Sequence, residues 1–308
     1  MKILIVGAGA IGGYFGGRLL EKGEDVTFLV REGRKEKLQQ AGLKIQSKHG
    51  NLQLTPKLIT KEEQSPPFDV VLISTKSYQL VNAIEDVQPF VGPETMILPL
   101  LNGMAHLQPL IEAFGEERVI GGLCFVETTL TEDGTIVQTS PVHQLVYGER
   151  TGEQTERIGK LEQSFTGTKA EFIRSDNITQ EMWHKYLFIT AMSGITSMME
   201  TPIGPIRDLE TGQHTIQVFL EELAAVMEKM DAPIQSGIAE TQLERINSMD
   251  AQMKSSMQRD IEKMQPTEAE HLQGYLLARA KEMKMQVPVL EIIYTKLKLY
   301  EQKLNAHG

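Results

Sequence analysis

Met1-Lys2-Ile3-Leu4-Ile5-Val6-Gly7-Ala8-Gly9-Ala10-Ile11-Gly12-Gly13-Tyr14-Phe15-Gly16-Gly17 decides the fold. Ile3 to Val6 is a short apolar run rich in branched side chains, the pattern of a parallel strand buried on both faces. Gly7-x-Gly9-x-x-Gly12 follows at once, and a helical run from Ala10 to Glu21 completes a strand-turn-helix unit. Each glycine has a separate duty in such a unit. Gly7 makes the tight turn, Gly9 admits a pyrophosphate to the backbone, and Gly12 lets helix and strand pack closely. The loop residues Gly7, Ala8, Gly9, Ala10, Ile11 and Gly12 would then hold phosphates on free amides at the helix N-terminus, with the helix dipole behind them.

The whole chain sets the limits. Its 308 residues predict two domains. Hydrophobic content of 41% and charged content of 23% are those of an ordinary globular protein. A formal charge of −10 argues against nucleic acid or an anionic membrane as partner. No apolar run reaches the roughly eighteen residues of a membrane span, and the N-terminal apolar stretch is too short for a signal peptide. Cys124 is the single cysteine, expected to be a buried inert thiol in a reducing cytoplasm. The seven histidines show no ligand spacing, so no metal is expected.

Asp25 to Val30 reads as a second strand, parallel to the first. The ribose-reading position at its end is Arg31, with Arg34, Lys35 and Lys37 behind it. A guanidinium suits a 2′-phosphate by charge and by its planar fork, so NADP(H) is the expected cofactor, although Glu32 leaves NAD open. Leu43 to Gln46 and Leu52 to Leu54 read as a strand pair, and Lys61 to Pro67 as a polar connection. Asp69 to Thr75 is a buried strand ending at Lys76, and Met96 to Leu101 another, ending at Asn102-Gly103-Met104. Ligands sit beyond strand C-termini in open α/β sheets, which makes Lys76 and Asn102 candidate cofactor contacts. Each has an ordinary alternative, a solvated lysine and a turn asparagine. Pro99 lacks a ladder donor and argues against a central position for its strand.

Arg118 to Thr129 is expected to continue the sheet. Gly134 to Gln138 and Val142 to Tyr147 read as an antiparallel pair turning at Ser140-Pro141. A helix from Glu156 to Phe165 and a strand from Ala170 to Ile173 follow. From Thr179 helical periodicity replaces strand signals, punctuated by Pro202, Pro205, Pro233, Pro266 and Pro288. The expected architecture is α/β: a Rossmann-type doubly wound sheet over residues 1–176, then an all-helical substrate domain over 177–308. The last helices, Ala269 to Glu282 and Leu290 to Leu304, bury a face either within that domain or against a second subunit, so a homodimer is one of two expectations.

A nicotinamide carries the hydride, and the protein must supply position and a proton donor. Lys185, in Trp183-His184-Lys185-Tyr186-Leu187-Phe188-Ile189, lies among apolar residues. Burial draws a lysine pKa towards neutrality and a carboxylate raises it again. A lysine so balanced can protonate a developing alkoxide, and one that snorkels across a helix cannot.

The N-terminal glycine motif, Lys76, Asn102-Gly103-Met104, Trp183-x-Lys185, and Ser255-Ser256-Met257-x-x-Asp260 followed by Thr267-Glu268 together resemble the ketopantoate reductase (2-dehydropantoate 2-reductase) family, in order and approximate spacing over nearly the whole chain. The resemblance implies NADPH-dependent reduction of the 2-oxo acid ketopantoate to pantoate, in pantothenate biosynthesis. It implies Lys185 as proton donor and Glu268 as a carboxylate near that lysine and the cofactor. Asn102 and Lys76 would line the reacting end, and Ser256 would bind substrate. Glu268 also reads as a helix N-terminal carboxylate behind a capping Thr267, and Ser256 as a solvated helix serine.

Three positions depart from the family pattern. Asparagines tend to stand four and eight residues after the lysine and before a later glycine, whereas this chain has Ile189, Ser193 and Ile203. Each missing donor would cost about 0.5–3 kcal/mol towards a polar substrate. Ile189 and Ser193 remain the expected substrate-facing positions, so a more apolar 2-oxo acid or another carbonyl compound is an alternative. A non-catalytic NADPH sensor is a further one.

Overall fold

The computed structural model describes residues 1–307. The chain divides into two compact units, Met1–Leu101 with His106–Thr179, and Asn102–Ala105 with the residues from Gln180 onward. The division thus falls after Thr179, and a four-residue segment around Gly103 groups with the helices.

The first unit runs β1 (Lys2–Val6), α1 (Ala10–Lys22), β2 (Asp25–Leu29), α2 (Glu32–Ala41), β3 (Leu43–Ser47), β4 (Leu52–Leu54), β5 (Lys57–Ile59), β6 (Val70–Ile73), α3 (Leu80–Val87), β7 (Met96–Pro99) and α4 (Leu107–Phe114). It ends with β8 (Gly121–Leu130), β9 (Ile136–Gly148), α5 (Glu156–Phe165) and β10 (Glu171–Arg174). The first sheet is wholly parallel, in the order β5-β2-β1-β6-β7. Alternation along its strands makes two cores. Ile3, Ile5, Val26, Phe28, Val70 and Leu72 pack with α1 and the second sheet. Leu4, Val6, Leu29, Val71, Ile73 and Ile97 pack with α3 and α4. This is the doubly wound arrangement expected from the opening motif.

Two expectations need correction. The chain from Arg118 does not simply continue the first sheet. Ile97 N donates to Arg118 O at 2.8 Å and Ile120 N to Ile97 O at 3.0 Å, but the next donor on that side of β7 would be Pro99, which has none. The chain leaves there through Gly121-Gly122, and β8 enters a second sheet in the order β10-β9-β3-β4, with β8 also on β9. Pro99 accordingly sits on the terminal strand of its sheet.

Secondly, Ser140-Pro141 is not a hairpin turn. Residues 136–148 form one strand, antiparallel to β8, and the turn lies at Thr131–Thr135. The register slips at Glu127, between the pairs Val126↔His143 and Thr128↔Gln138. There Glu127 N donates to Ser140 Oγ at 2.8 Å, so a side chain satisfies the amide that the bulge displaces. Proline is tolerated because the ladder is already interrupted.

Behind this bulge lies a buried polar cluster. Tyr14 OH bonds His143 Nδ1 at 2.7 Å, and the His143 ring stacks on His49 with centroids 3.5 Å apart. Arg18, fully buried, places its guanidinium 5.2 Å from the Tyr14 ring and donates to Glu21 at 2.8 Å and to Gly50 O at 2.7 Å.

The second unit is helical: α6 (Ile178–Met199), α7 (Ile203–Arg207), α8 (Glu210–Lys229), α9 (Ile238–Ser248), α10 (Ser256–Glu262), α11 (Tyr275–Glu282) and α12 (Pro288–His307). The helix expected from Ala269 opens with a π-helical turn, Glu270–Gly274, before α11. α8 is central, its Phe219, Leu220 and Leu223 having no exposed surface. Gly194 brings α6 close enough that a Cβ would lie 2.9 Å from Phe219 and 3.0 Å from Ile293 of α12. No helix among the described residues is long and apolar enough to cross a membrane.

Burial first, then the stacked His49, hold the His143 imidazole below its ordinary value; Glu171 pulls the other way and the Arg18 charge adds a lesser downward push. The unfolded chain therefore takes up this proton first. Stability to urea should be full above about pH 6.5, an ordinary histidine pKa, and fall as pH drops beneath it. His143→Gln keeps an acceptor for Tyr14 and does not titrate, so its stability curve should be flatter. Equal pH slopes for the two proteins would remove His143 as the source.

Candidate active site

In the first unit the site begins where β1 ends. Gly7 has φ +93°, a left-handed conformation that suits glycine alone. A Cβ at Gly12 would fall on Ser74 Oγ and on the Gly7 carbonyl, whereas one at Gly9 meets nothing within 4 Å. Gly12 is thus the packing glycine. Gly9 stands at the open N-terminus of α1, where no side chain caps the helix amides, and that open cradle fits a pyrophosphate. Ala8 is buried, while Ala10 and Ile11 form the partly exposed first turn.

Ser74, not anticipated from sequence, fixes this loop. Its hydroxyl lies 2.9 Å from Val6 O and 3.2 Å from Gly7 O, which ties the end of β6 to the turn. Lys76 follows, partly buried, just before a short helical turn at Ser77–Gln79. Of the basic residues after β2, Arg31 is exposed. Arg34 reaches back to Ala8 O at 3.2 Å, and burial lowers its pKa. Lys35 is engaged by Glu63 at 2.6 Å.

In the second unit Lys185 is 7% exposed, and its Nζ donates to Asn102 Oδ1 at 3.0 Å. The two expected residues therefore meet directly. Glu268 is partly buried and acts electrostatically on His271. The His271 imidazole is also hydrogen-bonded to the Asn102 backbone; burial pushes its pKa down, and Glu268 and this bond pull it part of the way back. His271 was not singled out from sequence, since its connection to Asn102 spans most of the chain.

The remaining candidates differ in exposure. Ile189, one turn beyond Lys185 on the same helix face, is partly buried. Ser193 is buried; its hydroxyl lies 3.4 Å from Thr190 O and accepts from Gln273 Nε2 at 2.9 Å. Ile203 is fully buried. Ser256 is exposed at the start of α10, while its neighbour Ser255 caps that helix and bonds Thr196 Oγ1 at 2.8 Å.

A glycine cradle on a doubly wound sheet and a buried amine held by an amide oxygen define the equipment of a nicotinamide-dependent oxidoreductase. The chain matches the family model of ketopantoate reductase PanE/ApbA over residues 3–152 and that of ketopantoate reductase PanE/ApbA C terminal over residues 177–301. It belongs to this family and is an NADP(H)-dependent oxidoreductase. It is 48% identical over 301 residues to the uncharacterized oxidoreductase YkpB of Bacillus subtilis, covering 98% of this chain and 99% of that one. The 2-dehydropantoate 2-reductase of Nostoc is 26% identical, covering 97% and 95% respectively. The crystal structure of 2-dehydropantoate 2-reductase from Geobacter metallireducens superposes with a TM-score of 0.87 at 28% identity, covering 97% of this chain and 99% of that one.

Gly9→Ala and Gly12→Ala should separate cofactor binding from packing. Gly9→Ala should melt with the parent and bind NADPH at least tenfold more weakly, a change of about 1.4 kcal/mol. Gly12→Ala should lose roughly 1–3 kcal/mol of stability. Calorimetry and fluorescence titration check both, and unchanged NADPH affinity in folded Gly9→Ala would remove the loop from cofactor binding.

Proposed function

We propose that the chain uses NADPH to reduce the keto group of a small 2-oxo acid, with 2-dehydropantoate (ketopantoate) as the first candidate and pantoate as the product, a step of pantothenate biosynthesis. The observation that carries this reading is the buried Lys185 ammonium 3.0 Å from Asn102 Oδ1. When bound, the reduced nicotinamide supplies the hydride to the carbonyl carbon. Gly7 to Gly12 would hold its pyrophosphate, Arg31 and Arg34 its 2′-phosphate, and Lys76, Asn102 and Glu268 its reacting end.

Lys185 serves as general acid. An ammonium has three donors, so one can stay on Asn102 while another meets the carbonyl oxygen. Transfer of its proton to the oxygen removes the charge that builds there. Ile189 lines the substrate beside the lysine, and Ser256 offers it a hydroxyl. Ser193 is buried, its hydroxyl engaged by Gln273.

One feature favours a second reading within the same chemistry. Ile189 is partly exposed and Ser193 buried, so beyond Lys185 this face of α6 offers an apolar side chain where the family pattern has an asparagine. An apolar side chain there suits a 2-oxo acid with a bulkier apolar group beside the keto carbon.

Lys185→Ala should lower kcat by about a hundredfold or more, within the range of general-acid contributions, with NADPH affinity held within twofold. Wild-type turnover in that variant would end the mechanism. Assays of ketopantoate, 2-oxoisovalerate and phenylglyoxylate with NADPH and NADH decide the substrate; a higher kcat/KM for either apolar acid selects the second reading. Arg31→Ala should raise KM for NADPH roughly tenfold, about 1.4 kcal/mol, without changing that for NADH. Parallel loss with both cofactors would take Arg31 away from the 2′-phosphate.

A further inference from the structure

We propose that His271 is the positioning residue of this site: by hydrogen-bonding the Asn102 backbone, it fixes the amide oxygen that aims the Lys185 ammonium. The inference rests on the assignment of Lys185 as general acid. Three observations support it.

His271 bears on the Asn102–Gly103 segment through both a hydrogen bond and packing. The ring is bonded to the Asn102 backbone. A Cβ on Gly103 would lie 3.3 Å from His271 Cδ2, 3.1 Å from Leu272 Cδ2 and 3.4 Å from Tyr186 Cε2. Gly103 has φ +81°, so the turn that presents Asn102 is one that side-chain-bearing residues resist.

The segment carrying His271 is itself anchored beside the lysine. Tyr186, the residue after Lys185, is fully buried and donates to Leu272 O at 2.5 Å. Gln273 Nε2 donates to Thr190 O at 3.1 Å and to Ser193 Oγ at 2.9 Å. Both bonds tie the π-helical turn Glu270–Gly274 to α6, the helix that bears Lys185. His271 therefore stands on a fixed base and has Asn102 as its outward partner. Glu268, whose charge favours the protonated form of His271, precedes that turn by two residues.

The consequence for catalysis follows from tolerance to misplacement. A displacement of about 1 Å in a reacting group can cost about a hundredfold in rate. An asparagine on a glycine-bearing turn has no helix or strand to keep its backbone still. A donor on that backbone restricts where Oδ1 sits, and so where Nζ sits. The effect belongs in kcat, because His271 is assigned no contact with cofactor or substrate.

The test uses the full chain, four variants at His271 and Gly103, and Lys185→Ala as a control. His271→Phe keeps a ring and removes the donor, while His271→Asn and His271→Gln return neutral donors of two lengths. Gly103→Ala crowds the same contact from the other side. His271→Phe and Gly103→Ala are expected to lose tenfold or more in kcat with NADPH Kd within twofold, and one of the two amide variants should recover most of the kcat. Full kcat in His271→Phe, or a loss that neither amide repairs although both fold with the parent Tm, would overturn the assignment. If His271→Phe does not fold, Gly103→Ala and the amide pair still decide: parent kcat in the first, or the same deep loss in both amides, is equally adverse. Lys185→Ala distinguishes this from failure of the underlying reading, since full turnover there removes the general acid itself.

Discussion

α1 touches sheets on two sides with almost no side chain to separate them, and the first unit depends on that closeness. Gly12 and Gly16 face the first sheet. At Gly16 a Cβ would stand 2.8 Å from Ile5 and 2.9 Å from Phe28. Gly13 and Gly17 face the second sheet, where Ile136 and Ile45 fill the space that their Cβ atoms would take. Two glycine pairs one turn apart therefore let a single helix serve as the middle layer between β1 and β9. Between and beyond them, Tyr14, Phe15 and Arg18 are fully buried. A guanidinium without exposure is stable only when its donors and charge are met. Here Glu21 and Gly50 O take donors from the two terminal nitrogens and the Tyr14 ring lies 5.2 Å from the guanidinium carbon, while Nε finds no partner among the described residues.

Much of this was readable because it is local. A buried strand, a glycine turn and a helix are adjacent in sequence, and the fold class follows from their order. What failed was non-local. The register of β9 depends on Ser140 satisfying an amide on another strand, and composition cannot distinguish a proline at a bulge from one at a turn. β5 has three residues and borders the sheet, too short to show alternation. The exit of the chain after Ile120 turns on which way the missing donor of Pro99 would have pointed, which only the pairing reveals.

The site divides along the same line. The glycine loop carries its reason in its own spacing. Lys185 was legible as an amine placed among apolar residues, and its burial bears that out. Its partner was not legible from spacing, since Asn102 reads equally well as a turn asparagine. Ser74 and His271 carried no signal at all. One is a small residue after an apolar strand, the other a histidine on a helix, and each acts on backbone far away in sequence. Ser193 shows the converse. Its place on the face of Lys185 marked it for substrate, yet Gln273 engages its hydroxyl within the core.

The choice of partner around the amine bears on how it works. A carboxylate bonded to Lys185 would hold the ammonium in place and also hold its proton, because an opposite charge stabilises the protonated form. An amide oxygen orients the same three donors with only a partial charge. Asn102 therefore supplies direction without a full charge on the bond. The charge of Glu268 acts on the His271 imidazole, which is also hydrogen-bonded to the Asn102 backbone. Asn102 thus gives the proton donor its direction, and Glu268 acts on the histidine that is hydrogen-bonded to the Asn102 backbone.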